Sequence, residues 1–106
     1  MASTRRKESN NIYGEVNSAS DLRSINRLIR KDMRQAKARD QMSELKRRSD
    51  YLCTLTRSPA WQTRFGERSD RFLKVAKEEN HRSVRLANQI AKKQHWDVQY
   101  DPWGRD

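Results

Sequence analysis

Residues 20–57, SDLRSINRLIRKDMRQAKARDQMSELKRRSDYLCTLTR, contain neither proline nor glycine, and how they divide into helices decides the fold. Leu22, Ile25, Leu28, Ile29, Met33 and Ala36 recur at helical spacing and form one apolar stripe. Ser20 is the expected N-cap, with Asp21 in the first turn. After Ala36 the stripe slips by about half a turn and continues through Ala38, Met42, Leu45, Leu52 and Leu55, with Ser49 at a seam position. A slip without a breaker has two readings. The favoured one is a single long helix, bent or repacked near residue 40. The alternative is a break at residues 39–41, which gives three long helices instead of two. Thr54, Thr56 and Ser58 lower helix propensity, and Pro59 disfavours the helical region for Ser58, so the helix ends there.

The same residues start the next helix, with Ser58 as N-cap and Pro59 at the first helical position. Trp61, Phe65, Phe72, Val75, Ala76, Leu86, Ala87, Ile90 and Ala91 mark its apolar stripe, which runs as far as Lys93 or His95. Gly66 weakens this helix by roughly 1 kcal/mol relative to alanine and is a point where it can break. Upstream, residues 1–19 are polar and lack periodicity, and they read as a flexible N-terminal arm with a contact at Ile12 and Tyr13. Downstream, in residues 96–106, Trp96, Val98 and Tyr100 alternate with Asp97, Gln99 and Asp101 before Pro102, which predicts an extended aromatic and acidic tail. The expected architecture is all-α. An antiparallel hairpin of two long helices over residues 20–95, or three if the first is broken near residue 40, lies between the arm and the tail.

Only 33% of the 106 residues are hydrophobic and 36% are charged, which places the chain near the disordered class and limits it to one small domain. A two-helix hairpin buries one seam, so these numbers predict a homo-oligomer or a larger protein assembly. No apolar run approaches the ~20 residues of a membrane span, so no membrane partner is expected. No secretory leader is expected either, because no apolar stretch follows Met1–Glu8. A lone cysteine, Cys53, suits a reducing compartment, hence a cytoplasmic protein, or a nuclear one in a eukaryote.

Catalysis is not expected. His81 and His95 are too far apart for a metal motif, and one cysteine closes no thiolate site. Three glycines build neither a P-loop nor a dinucleotide fingerprint. Glu78 and Glu79 are adjacent and diverge by about 100° on a helix, so they are no acid–base pair. Cys53 is expected as a small seam residue beside Leu52, ahead of a nucleophile paired with His81. No catalytic residue, metal, cofactor or small-molecule substrate is assigned.

The basic residues carry more information. Arg23, Arg27, Arg30, Arg34 and Lys37 step by four and three along one helix flank, with Asp21, Asp32 and Asp40 on the opposite flank. Lys46, Arg47 and Arg48 form a further run, and Arg64, Arg68, Arg71, Arg82 and Arg85 cluster on the second helix opposite Trp61, Phe65 and Phe72. The net charge of +10 resides on the helices: residues 21–57 carry +6, 58–95 carry +5, and 96–106 carry −2. Arginines spaced about 5–6 Å apart on one face can reach successive phosphates, and their planar forks suit bidentate contacts. Against this stands a merely solvated surface, with i,i+4 pairs such as Glu67–Arg71, Asp70–Lys74 and Glu78–Arg82. The surplus charge exceeds what solubility requires.

The expected function is a small non-catalytic protein that binds the backbone of DNA or RNA, alone or within a nucleoprotein complex. The alternative is an adaptor or regulatory module whose basic face docks an acidic protein. The acids of the tail argue for its docking on its own chain or on a protein partner, not for base stacking. Basic-zipper, helix-turn-helix and C₂H₂-finger patterns do not fit these residues.

Overall fold

A computed structural model describes residues 13–96 as four α-helices: α1 (Ala19–Gln35), α2 (Arg39–Arg57), the short α3 (Pro59–Phe65) and α4 (Arg68–Gln94). The all-helical class agrees with the sequence, but the favoured single helix over residues 20–57 does not form. The chain reverses at residues 36–38, where Ala36 (φ −64, ψ 131) and Ala38 (φ −141, ψ 153) are extended. The slipped stripe explains this. In one continuous helix the faces of Met33 and Met42 would point in opposite directions. Reversal turns Met42, Leu45, Leu52 and Cys53 into the core that Leu22, Ile25, Ile29 and Met33 already line. Each fully buried side chain of that size contributes roughly 1.5–3 kcal/mol, far more than the few helical hydrogen bonds given up at the turn. Gln41 offsets part of that cost: its Oε1 accepts from the backbone N–H of Lys37 (2.6 Å) and of Ala38 (3.1 Å).

The long helices form a three-helix bundle. Ser18–Ser20 lie beside Arg68, Arg71 and Phe72, Arg30 reaches Glu79, and Arg34 lies beside Leu86 and Ile90. Both series ascend, so α1 and α4 run parallel. Ser49 reaches Asn80 and Cys53 reaches Ala76, so α2 runs antiparallel to them. The hairpin expected from sequence becomes two antiparallel pairs that share α2. Each apolar stripe is now covered by two neighbours. Leu28 and Tyr51 are the large apolar side chains left exposed among the described residues. Leu28 was expected on the core stripe, but it lies outside the arc that faces α2 and α4.

Local chemistry sets the helix ends. Ser18, not Ser20, caps α1: its Oγ accepts from Asp21 N (3.1 Å), and Asp21 Oδ2 accepts from Asn17 N (3.1 Å). Asp21 thus reaches past the cap to the residue before it, a variant of the capping box in which the acid accepts from Asn17 and not from Ser18 itself. Ser58 ends α2 and caps α3 through Trp61 N (3.2 Å), with Pro59 at the start of α3. Gly66 (φ 56, ψ −127) is the corner between α3 and α4, a conformation L-residues avoid. Trp61, Phe65 and Phe72 stack at this end of the bundle with ring centroids 4.3–5.1 Å apart. At the other end His95 adopts the left-handed conformation and Trp96 N bonds to Ala91 O (2.8 Å), while Trp96 packs half-buried on the core.

Part of the expected arm is folded. Val16 is buried, and Tyr13 donates to Asp32 Oδ2 while accepting from Arg48 Nη1 (3.2 Å). Ile12, the rest of the arm and tail residues 97–106 lie outside the described residues. The core also holds polar side chains that the apolar pattern does not reveal. Asn26, Ser49 and Asn80, one from each long helix, meet in a layer: Ser49 Oγ lies 3.2 Å from Asn26 Oδ1 and 3.4 Å from Asn80 Oδ1.

Candidate nucleic-acid interface

Two rows of basic residues converge because α1 and α4 are parallel. On α1, Arg23 stands two turns before Arg30, and Arg27 two turns before Arg34; seven residues fall about 20° short of two full turns, so each pair shares a flank. The Arg30–Glu79 contact and the Arg34 groove identify that flank as the one beside α4. On α4, Arg71, Arg82 and Lys93 follow at eleven-residue steps, about three turns each, with Arg68 one turn before Arg71. The row from Arg71 to Lys93 is roughly 33 Å long at 1.5 Å per residue. Arg23, Arg27, Arg34, Arg68, Arg71, Arg82 and Lys93 are all exposed.

Between the rows sits one buried acid. Glu79 has a side chain 4% exposed, with Arg30 Nη2 at 3.4 Å from Oε1 and Arg82 Nη1 at 3.3 Å from Oε2. Arg30 is itself only 13% exposed, so it ties α1 to α4, whereas Arg82 keeps 67% of its side chain in solvent. Arg30 therefore belongs to the seam and not to the open surface. The ion pairs anticipated for Glu67–Arg71, Asp70–Lys74 and Glu78–Arg82 do not form. Arg82 turns instead to Glu79, three residues away and nearer the seam.

The remaining sequence-derived residues are dispersed. Lys37 lies in the turn after α1, exposed, with its backbone N–H bonded to Gln41. The Lys46–Arg48 run does not form a patch. Lys46 is buried, and Arg48 Nη1 donates to Tyr13 while its Nε lies 3.6 Å from Glu44. Arg47 is exposed and 3.4 Å from Glu44. Three consecutive residues on a helix point in three directions, which accounts for this scatter. Arg64 is on α3, donating to Asn17 Oδ1 (3.4 Å). Arg64 and Arg68 are not opposite the aromatic cluster; their guanidinium carbons lie 5.0 and 5.8 Å from the Phe65 ring centroid. Arg85 is exposed about one turn after Arg82.

Lys93 escaped the sequence reading, although its eleven-residue spacing from Arg82 signals it. It joins Arg34, Lys92, Gln89 and Gln94 around a groove of about 790 Å³ floored by the half-buried Leu86 and Ile90. A smaller cavity of about 250 Å³ lies where Arg68 and Arg71 face the start of α1. Among the described residues no His, Cys, Asp and Glu group could hold a metal ion, and no helix is long and apolar enough to cross a membrane. The chain matches no protein family, no curated protein and no solved structure, so the reading of this face rests on its own chemistry.

Proposed function

We propose that the α1/α4 face binds the phosphate backbone of nucleic acid without catalysis. One observation supports this most: arginines from two parallel helices flank a single seam whose acid, Glu79, is already held by Arg30 and Arg82. The guanidinium groups of Arg23, Arg27, Arg34, Arg68 and Arg71, none of them paired with an acid among the described residues, stand on rigid helices, so phosphate docking orders side chains but no backbone. Phosphate contacts carry no base information, and the affinity should vary little with sequence.

Salt-dependent binding tests the reading. Full-length protein is titrated into unrelated DNA and RNA oligonucleotides at several salt concentrations. A variant carrying Arg23→Gln, Arg27→Gln and Arg34→Gln should bind more weakly, and its slope of log affinity against log salt should flatten by about 0.7–0.9 for each phosphate it no longer neutralises. Helicity should be nearly unchanged, because glutamine has similar helix propensity. Arg47→Gln, on the distant face of α2, should leave binding as it was. Failure to bind either polymer at low salt would sink the proposal and favour an acidic protein as the partner.

A further inference from the structure

Nothing within residues 36–38 encodes the reversal on which the bundle depends. Ala36, Lys37 and Ala38 include none of the glycine, proline, asparagine and aspartate that make tight turns. Ala36 and Ala38 are already extended, so the change of direction falls at Lys37, whose backbone N–H donates to Gln41 Oε1 (2.6 Å). What holds α1 is its core face: Leu22, Ile25, Asn26, Ile29 and Met33 are buried against α2 and α4. None of these contacts requires α1 and its neighbours to belong to one chain.

We propose that α1 is an exchangeable element, and that a partner of this chain is a second copy of itself. In the dimer Lys37 extends, and α1 of each copy fills the place of α1 in the other. Every core contact is kept, so the exchange is a low-cost route to a dimer. The half-turn slip between the two stripes keeps the hinge extended, because one straight helix would turn a stripe away from its bundle. The four residue steps from Gln35 to Arg39 reach up to roughly 14 Å when extended, which lets the hinge cross between two abutting bundle ends. Those ends are complementary in charge. One flank of α1 there borders a groove of about 500 Å³ lined by Asp32, Asp40, Glu44 and the ion-paired Arg48, and the other borders the groove of Arg34, Lys92 and Lys93. A two-fold axis through this end sets the acids of each copy toward the bases of the other.

Each α1/α4 seam of the dimer is then built from two chains, with Arg30 of one copy against Glu79 of the other. The exchange stands whether or not that face binds nucleic acid.

Isotope-filtered NMR identifies which chain supplies α1. Labelled and unlabelled full-length chains are mixed in urea and refolded together at millimolar concentration, and the dimer is separated by size exclusion with its mass read by light scattering. Asn26 Oδ1 lies 3.2 Å from Ser49 Oγ, so NOEs between these side chains should run from labelled to unlabelled chains in the dimer and stay within one chain in the monomer. Two variants move the equilibrium. Gln41→Ala removes a hydrogen bond made only in the reversed loop, one per chain, and should raise the dimerisation constant about 5- to 30-fold. Deleting Lys37 and Ala38 leaves two steps between Gln35 and Arg39, about 7 Å at most and short of the ~8–10 Å between packed helix axes, so the shortened chain should be dimeric even at micromolar concentration. A dimer whose Asn26–Ser49 NOEs stay within one chain would overturn the exchange in favour of surface association. A native chain that stays monomeric at millimolar concentration would overturn it as well, whatever the variants do. A folded monomer of the shortened chain would overturn the hinge.

Discussion

Replacing Glu79 with glutamine should move stability and binding in opposite directions. The carboxylate is 4% exposed and lies between Arg30 at 3.4 Å and Arg82 at 3.3 Å. Without its charge, Arg30 is left in the seam with neither terminal nitrogen paired to an acid, and its Nη1 already has no hydrogen-bond partner. Breaking a fully enclosed pair costs about 3–5 kcal/mol, which is an upper limit here. Arg30 is 13% exposed and can shift its guanidinium toward solvent, so the range for a charge-assisted hydrogen bond, about 1.5–3 kcal/mol, is the better estimate. At several degrees per kcal/mol for a chain of this size, the melting temperature should fall by about 10 °C. Circular dichroism melts provide the assay. Arg82→Gln, at 67% exposure, should cost no more than about 1 kcal/mol. Arg30→Met in the Glu79→Gln background should recover most of the stability, because it removes the stranded charge. Affinity for nucleic acid should rise in Glu79→Gln itself, since the acid of the seam is gone. A Glu79→Gln protein that melts within about 2 °C of wild type would refute the assignment of Arg30–Glu79 as the tie between α1 and α4.

Gly66→Ala should destabilise by about 1–3 kcal/mol in urea denaturation with an unchanged m-value. No neighbour lies within 4 Å of the added Cβ, so the whole effect would come from the backbone; a gain in stability would show that the corner relaxes. Asn80→Leu should be neutral or stabilising by about 1 kcal/mol, because Ser49 has one proton for two acceptors and Asn80 Nδ2 has no partner. A destabilisation above about 2 kcal/mol would show that the polar layer contributes to stability. Burial, and then the hydrogen bond to Asp32, raise the Tyr13 hydroxyl above its ordinary value of 10.0 against the opposing pull of Arg48. Its folded value exceeds the unfolded one, so this contribution is complete below pH 10 and is lost as pH rises through the folded value. The melting temperature should therefore fall in alkali, and less so in Tyr13→Phe; identical alkaline profiles would contradict the account.

Short-range chemistry was legible in the residues themselves. Ser58 and Pro59 mark the junction of α2 and α3 because a cap and a fixed φ act within one turn. The apolar residues of α1 and α4 reveal their buried faces because a helix has a fixed period. The arginine stripe of α1 is legible for the same reason. Composition set the charge surplus, and the order of charged residues along the chain placed it on the helices.

Which stripes meet was decided only by the tertiary structure. The break at residues 36–38 has no sequence breaker; it forms because α4 offers a surface to both α1 and α2, so reversal buries more than continuation does. The parallel setting of α1 and α4 follows from that reversal, and it brings the two arginine rows to one seam. Lys46 and Glu79 are polar residues that sequence places outside, and Asn80 belongs to no apolar stripe, yet neighbouring helices enclose all three. Local propensity and periodicity act over a few residues, whereas burial is a property of the surface that a distant segment brings into contact.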